Sequence, residues 1–170
     1  GDFDITEEGI RFRRGGPLKP VMVETDVHPG FMTDWQQPLV VALTQADGVS
    51  TVHETVYENR LGFTQALNKM GADIVVHPEG LASPDRRVAR RALEQAAVIT
   101  GPTPLHGADV VVPDLRGGYS YVIAALAAQG TSTVRGVDII RRGYEKFLDK
   151  LTALGADFDV VACARRPVPR

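Results

Sequence analysis

The chain has 170 residues, enough for one compact domain with a core and too few for two. An apolar fraction of 44%, a charged fraction of 24% and a net charge of −2 describe a soluble globular chain with no electrostatic pull toward nucleic acid or an anionic membrane. The lone cysteine, Cys163, excludes an internal disulfide and a cysteine-rich metal site; no apolar run of about 18 residues spans a bilayer, no secretory signal opens the chain, and the expected location is cytoplasmic.

The first 16 residues read as a β-hairpin. Phe3-Asp4-Ile5-Thr6 and Ile10-Arg11-Phe12 flank Glu7-Glu8-Gly9. The hairpin looks like the close of an earlier unit whose start is absent. A strand follows at Val21-Met22-Val23, then an apolar stretch with helical spacing through Leu39, Val40, Leu43 and Ala46. Gly48 is placed to stop that helix. The β-branched run from Val49 to Val56 reads as a strand. A second helix carries Phe63, Ala66, Leu67 and Met70 on one face, Gly71 caps it, and Ile74-Val75-Val76 closes the unit as a strand.

The same order then recurs. Residues 33–76 align with residues 113–160. At an offset of 82, Ala42 meets Ala124, Gly48 meets Gly130, Ser50-Thr51-Val52 meets Ser132-Thr133-Val134, and Arg60 meets Arg142. At an offset of 84, Gly71-Ala72-Asp73 meets Gly155-Ala156-Asp157. The second copy is expected to run from a strand at Ala108–Val112 through a helix with Val122, Ile123, Leu126 and Ala127, stopped at Gly130. A strand over Thr131–Ile140, a helix with Phe147, Leu151 and Leu154 on one face, and a strand from Phe158 to Val161 complete it. The pattern is α/β, and both leading helices are apolar enough to be buried on several sides. Residues 80–97 have no counterpart in the second copy; Pro84–Ala97 is helix-forming and Arg-rich, and reads as a solvated surface insertion rather than an RNA contact. The tail from Arg165 is expected to be disordered.

No metal motif or phosphate-binding glycine loop is present: His28, His53, His77 and His106 have no ligand spacing, and Gly117-Gly118 is a weak loop signal. The suggestive residues sit at equivalent helix starts. Asp34 corresponds to Arg116, and Arg60 to Arg142. Helix N-termini favour anions, and arginine adds a two-pronged cation for phosphate or carboxylate. Two readings stay open. The four residues converge on one anionic ligand, or Asp34 belongs to a helix cap and the arginines pair with Glu58, Asp114 and Glu145.

Four segments, HPGFMTDWQQPLVVAL, ETVYENRLGFTQALNKMGAD, GADVVVPDLRGG and RRGYEKFLDKLTALGAD, resemble the enolpyruvyl transferases. The resemblance extends from Asp4 to Val161. It implies repeated βαβαββ units packed as an inside-out α/β barrel, of which the chain would be a C-terminal, partial domain. Residues 1–162 would then comprise the closing hairpin 1–16, one unit over 20–107 with its insertion at 80–97, and the next unit over 108–162, followed by a tail at 163–170. The implied reaction moves the enolpyruvyl group of phosphoenolpyruvate to the 3′-hydroxyl of UDP-N-acetylglucosamine, the first committed step of peptidoglycan synthesis, with no cofactor.

The resemblance further implies that Asp34 contacts the acceptor hydroxyl and is the candidate base. Val56 contacts the nucleotide sugar through its backbone. Arg60, Arg116 and Arg142 line the phosphoenolpyruvate site, Arg142 with a catalytic part, and Glu58 faces the same site. The family's reactive loop and an N-terminal lysine belong to the missing half, which the chain needs as a partner; Cys163 matches neither role and reads as a free surface thiol. Gly117-Gly118 stands where many relatives carry small side chains. Two alternatives remain: a paralogue acting on another uridine nucleotide, and a non-catalytic binding or assembly module.

Overall fold

The computed structural model describes residues 2–78 and 95–161. Two strands, β1 (Asp2–Thr6) and β2 (Gly9–Arg13), form the expected antiparallel hairpin. Its register sets Phe3 opposite Phe12 and Ile5 opposite Ile10, so one face is wholly apolar. All four of those side chains are exposed. Asp4 and Arg13 form an ion pair on the hairpin.

The first full unit runs β3 (Met22–Glu24), α1 (Thr33–Leu43), β4 (Gly48–Glu54), a 3-10 turn (Arg60–Phe63) leading into α2 (Thr64–Lys69), β5 (Asp73–His77) and β6 (Gln95–Gly101). Its sheet has the order β3-β4-β6-β5. β3 is parallel to β4, as a crossover through α1 requires, and β6 is antiparallel to both its neighbours. The second unit repeats the start, with β7 (Asp109–Val111), α3 (Leu115–Ala127) and β8 (Thr133–Arg135), again a parallel strand pair joined through a helix. Two short helices follow, α4 (Val137–Arg141) and α5 (Phe147–Ala153).

α1 and α3 pack against each other, and each is buried on several sides, as their composition predicts. The main core joins both units: Val40 and Val41 of α1, Leu67 of α2 and Ile99 of β6 share it with Tyr121 and Ala124 of α3. A smaller core holds Val112, Val122, Ile140, Phe147 and Leu151 within the second unit. At Gly117 the two long helices come close together. A Cβ there would lie 2.8 Å from Oε1 of Gln37 on α1. On the next residue, Gly118, a Cβ would lie 2.6 Å from Val112 Cγ1. This pair is helical rather than a loop, and its lack of side chains is what lets α3 sit between two packed surfaces.

Several sequence-based expectations are corrected. Gly48 does not end α1; the helix stops at Thr44, whose hydroxyl donates to the Val41 carbonyl at 2.7 Å, and Gly48 instead opens β4 with φ of +133°. α3 likewise ends before Gly130, at Ala128. The strand expected over 131–140 is only three residues long. Gly136, with φ of +79°, breaks it, and Val137–Arg141 turns into helix. Phe158–Val161 forms no strand, and Leu154 is 82% exposed rather than on the buried face. β6 completes the βαβαββ order that the resemblance implies, but the local pattern did not show it: Gln95–Ala97, read as the end of a helical insertion, is the start of a strand. The remainder of that insertion (up to 94), Cys163 and the tail lie outside the described residues.

Candidate active site

The candidate site forms where α1, the segment after β4, and α3 meet. α1 begins at Thr33 without a side-chain cap, and Asp34 is its second residue. Arg116 is the second residue of α3, the matching place in the other unit. An acid at a helix N-terminus is favoured by the free N–H groups and the macrodipole. Arg116 opposes the dipole, and Asp114 offsets this by capping α3: its Oδ1 accepts from the Gly117 N–H at 2.7 Å.

Asp34 is the hub. Its Oδ1 accepts from the Arg60 guanidinium at 2.7 Å and lies 3.8 Å from that of Arg116. Arg60 is only 14% exposed, so its charge is held partly out of water, whereas Asp34 and Arg116 are each half exposed. Arg60 also sits over the Tyr57 ring, 5.7 Å from its centroid. Its Nε is buried and unpartnered among the described residues. The Tyr57 hydroxyl first, and the Asp34 charge second, push Arg116 further into its charged form. Asp34, Arg60 and Arg116 therefore do converge. Arg60 and Arg116 both face Asp34 and Asp114 serves as a cap, so the alternative pairing of Arg60 with Glu58 is not formed among the described residues.

Arg142 follows α4 and is exposed. Among the described residues no ion pair joins it to Asp34. Its segment is nevertheless held against the start of α3. A Cβ on Gly143 would lie 2.7 Å from Cδ1 of Leu115, the neighbour of Arg116. Tyr144 stacks on Tyr119 with ring centroids 5.0 Å apart. Glu58 is exposed in the turn before Arg60. Val56 is half-buried, and its N–H is already engaged, donating to Glu54 Oε1 at 2.8 Å.

Sequence reasoning missed Glu54, the last residue of β4, which is fully buried. Its Oε2 accepts from the Thr33 hydroxyl and the Gln36 amide, both at 2.7 Å. Its Oε1 accepts from the N–H groups of Val56 and Tyr57, at 2.8 and 2.9 Å. The residue after it, Thr55, is tied to Thr25 beyond β3: the Thr55 N–H donates to the Thr25 hydroxyl at 2.9 Å, and the Thr55 hydroxyl donates to the Thr25 carbonyl. A glutamate ending a strand carries no local signal of this, because two of its four partners are 18 and 21 residues away.

One carboxylate and two guanidiniums meet where the repeated units join, a donor set able to pair with an anion. The family model described as EPSP synthase (3-phosphoshikimate 1-carboxyvinyltransferase) matches residues 2–151, and the chain belongs to this family of enolpyruvyl transferases. It is 52% identical over 162 residues to the UDP-N-acetylglucosamine 1-carboxyvinyltransferase of Protochlamydia amoebophila, covering 95% of this chain and 35% of that protein. It is 45% identical to UDP-N-acetylglucosamine 1-carboxyvinyltransferase 2 of Symbiobacterium thermophilum, covering 91% of this chain and 33% of the relative. The enolpyruvyl transferase NikO from Streptomyces tendae superposes with a TM-score of 0.75 at 28% identity, over 92% of this chain and 33% of that one. The chain thus spans about a third of the length of the proteins it matches. Among the described residues, no helix is long and apolar enough to cross a membrane, and no group of three or more potential metal ligands occurs.

Proposed function

We propose that this chain carries the donor-binding part of an enolpyruvyl transfer site. The reaction is transfer from phosphoenolpyruvate to the 3′-hydroxyl of UDP-N-acetylglucosamine, with loss of phosphate, in the cytoplasm, as the first committed step of peptidoglycan synthesis. The observation that supports this reading is the bridge made by Asp34 between Arg60 and Arg116, at 2.7 and 3.8 Å, across two repeated units. The donor carries a phosphate and a carboxylate, and guanidiniums at the ends of two units supply fixed positive charge for both. Asp34 takes the proton of the acceptor hydroxyl as that oxygen attacks C2 of the donor while C3 takes a proton from an acid outside this chain; loss of a proton from C3 and of phosphate from C2 then restores the double bond. Arg142 joins Arg60 and Arg116 in neutralising the tetrahedral intermediate and the departing phosphate. Glu58 lies close enough in sequence to Arg60 to border the same anion. Val56, its N–H already engaged by Glu54, offers its carbonyl to the nucleotide sugar. The rest of the site comes from polypeptide beyond this chain, and the chain by itself does not turn over.

Titration calorimetry of the 170-residue chain with phosphoenolpyruvate tests the donor site. Saturable binding that weakens with added salt is expected; absence of binding refutes the reading. Phosphate release by a longer polypeptide containing this chain, with UDP-N-acetylglucosamine or UMP as acceptor, tests the acceptor. Preference for UMP transfers the chain to a paralogous reaction.

A further inference from the structure

We propose that Glu54 is a positioning residue, a buried clamp that sets Asp34 opposite Arg60. The inference rests on the donor-site reading for its ligand, and on geometry alone for the clamp. Glu54 is fully buried, and its four hydrogen-bond partners are all uncharged. A carboxylate in the core is costly to hold unless its lone pairs are filled. Here each oxygen receives two donors, and the two oxygens serve two different elements.

Oε2 holds the start of α1 through Thr33, the residue before Asp34, and Gln36, two residues after it. Oε1 holds the turn after β4 through the backbone of Val56 and Tyr57. Three residues on, the same turn delivers Arg60, and Tyr57 lies under that guanidinium. One side chain therefore connects the backbone carrying the acid to the backbone carrying the cation. An apolar residue at the end of β4 would fill the same core volume and leave that connection unmade.

The test uses the single tryptophan, Trp35, which is half exposed and adjacent to Asp34. Its emission is followed on titration with phosphoenolpyruvate, and with inorganic phosphate as a second probe, for the wild-type chain and for Glu54→Ala, Thr33→Val and Glu54→Gln. Thermal melts show that each variant is folded at the titration temperature. Glu54→Ala is expected to weaken phosphoenolpyruvate binding about tenfold or more, and Thr33→Val about threefold, as hydrogen bonds to a charged group are lost. Glu54→Gln is expected to rescue binding to within about threefold of wild type. Its carbonyl can face the Val56 and Tyr57 N–H groups while its NH2 donates to the Thr33 hydroxyl and to Gln36 Oε1, a buried acceptor unpartnered among the described residues.

A residue that serves folding alone would lower the melting temperature of Glu54→Ala and leave the affinity of the folded chain unchanged. That result overturns the inference. Should Glu54→Ala not fold, wild-type affinity in Thr33→Val overturns it in the same way. A wild-type chain that binds neither probe removes the donor-site reading, and this inference with it.

Discussion

Replacing Asp34 by Asn separates the acid's chemistry from its contribution to the fold. The side chain is 53% exposed and pairs with an Arg60 that is 14% exposed. A half-exposed pair of this kind contributes about 0.2–1 kcal/mol. Its place in the first turn of α1 adds about 0.3–1 kcal/mol through the helix dipole. The total loss is thus about 1 kcal/mol, a fall in melting temperature of roughly 2–4 °C for a domain of this size. Turnover by the complete polypeptide should fall far more, about 10²–10⁴-fold, because a positioned base is removed and the amide keeps only the shape.

Anion binding should change in the opposite sense. Asp34 Oδ1 accepts from the Arg60 guanidinium at 2.7 Å, so the carboxylate competes with an incoming phosphate for that cation. With the carboxylate gone, inorganic phosphate should bind up to about fivefold more tightly, the equivalent of about 1 kcal/mol. Calorimetry on the chain and a phosphate-release assay on the complete polypeptide read the two effects. Turnover within tenfold of wild type would remove Asp34 from the base role. Weaker phosphate binding by Asp34→Asn would show that the carboxylate organises the arginines rather than competing for them.

Three other outcomes are expected. Ile99→Ala, at a fully buried position in the centre of β6, should cost about 2–5 kcal/mol in denaturant unfolding, and a cost below 1 kcal/mol would contradict that strand's place in the core. Gly143→Val should weaken phosphoenolpyruvate binding and lower the melting temperature modestly, since its Cβ would meet Leu115 Cδ1 at 2.7 Å and push the Arg142 segment away from the start of α3; unchanged affinity would detach Arg142 from the donor site. Burial first, and the Asp114 charge second, push the Tyr121 phenol above its ordinary value of about 10. The folded state therefore favours the protonated phenol, and this contribution is complete below about pH 10 and is lost as pH rises through the higher folded value. Melts between about pH 8 and 11 should fall more steeply for wild type than for Tyr121→Phe, and parallel curves would refute the assignment.

The repeat was legible because matched glycines and β-branched residues recur at a constant spacing, and the parallel pairs β3-β4 and β7-β8 share it. The equivalence of Asp34 and Arg116 followed from that spacing, and so did their placement at matching helix starts. What spacing could not supply was direction. It gave no sign that Arg60 reaches across to Asp34 rather than to Glu58, its close neighbour in sequence. The strand β6 was hidden from the local pattern because the residues before it favour helix, and its pairing with β4 and β5 depends on contacts 19 or more residues away. The stretch around Gly136 misled for a local reason: β-branched composition suggested a strand, but a left-handed glycine at its centre redirects the chain. Glu54 was invisible because a buried acid differs from a solvated one only in its long-range partners.

The second residues of α1 and α3 occupy equivalent places in the duplicated architecture, yet they approach within 3.8 Å of each other. Identical residues at both positions would set two like charges face to face along the line where the copies join. Symmetry is therefore a burden at this point, and it is relieved only when one copy holds an acid and the other a base. A tandem protein of this kind cannot keep its halves interchangeable here, and the asymmetry that settles the repulsion is the same asymmetry that gives this junction a polarity.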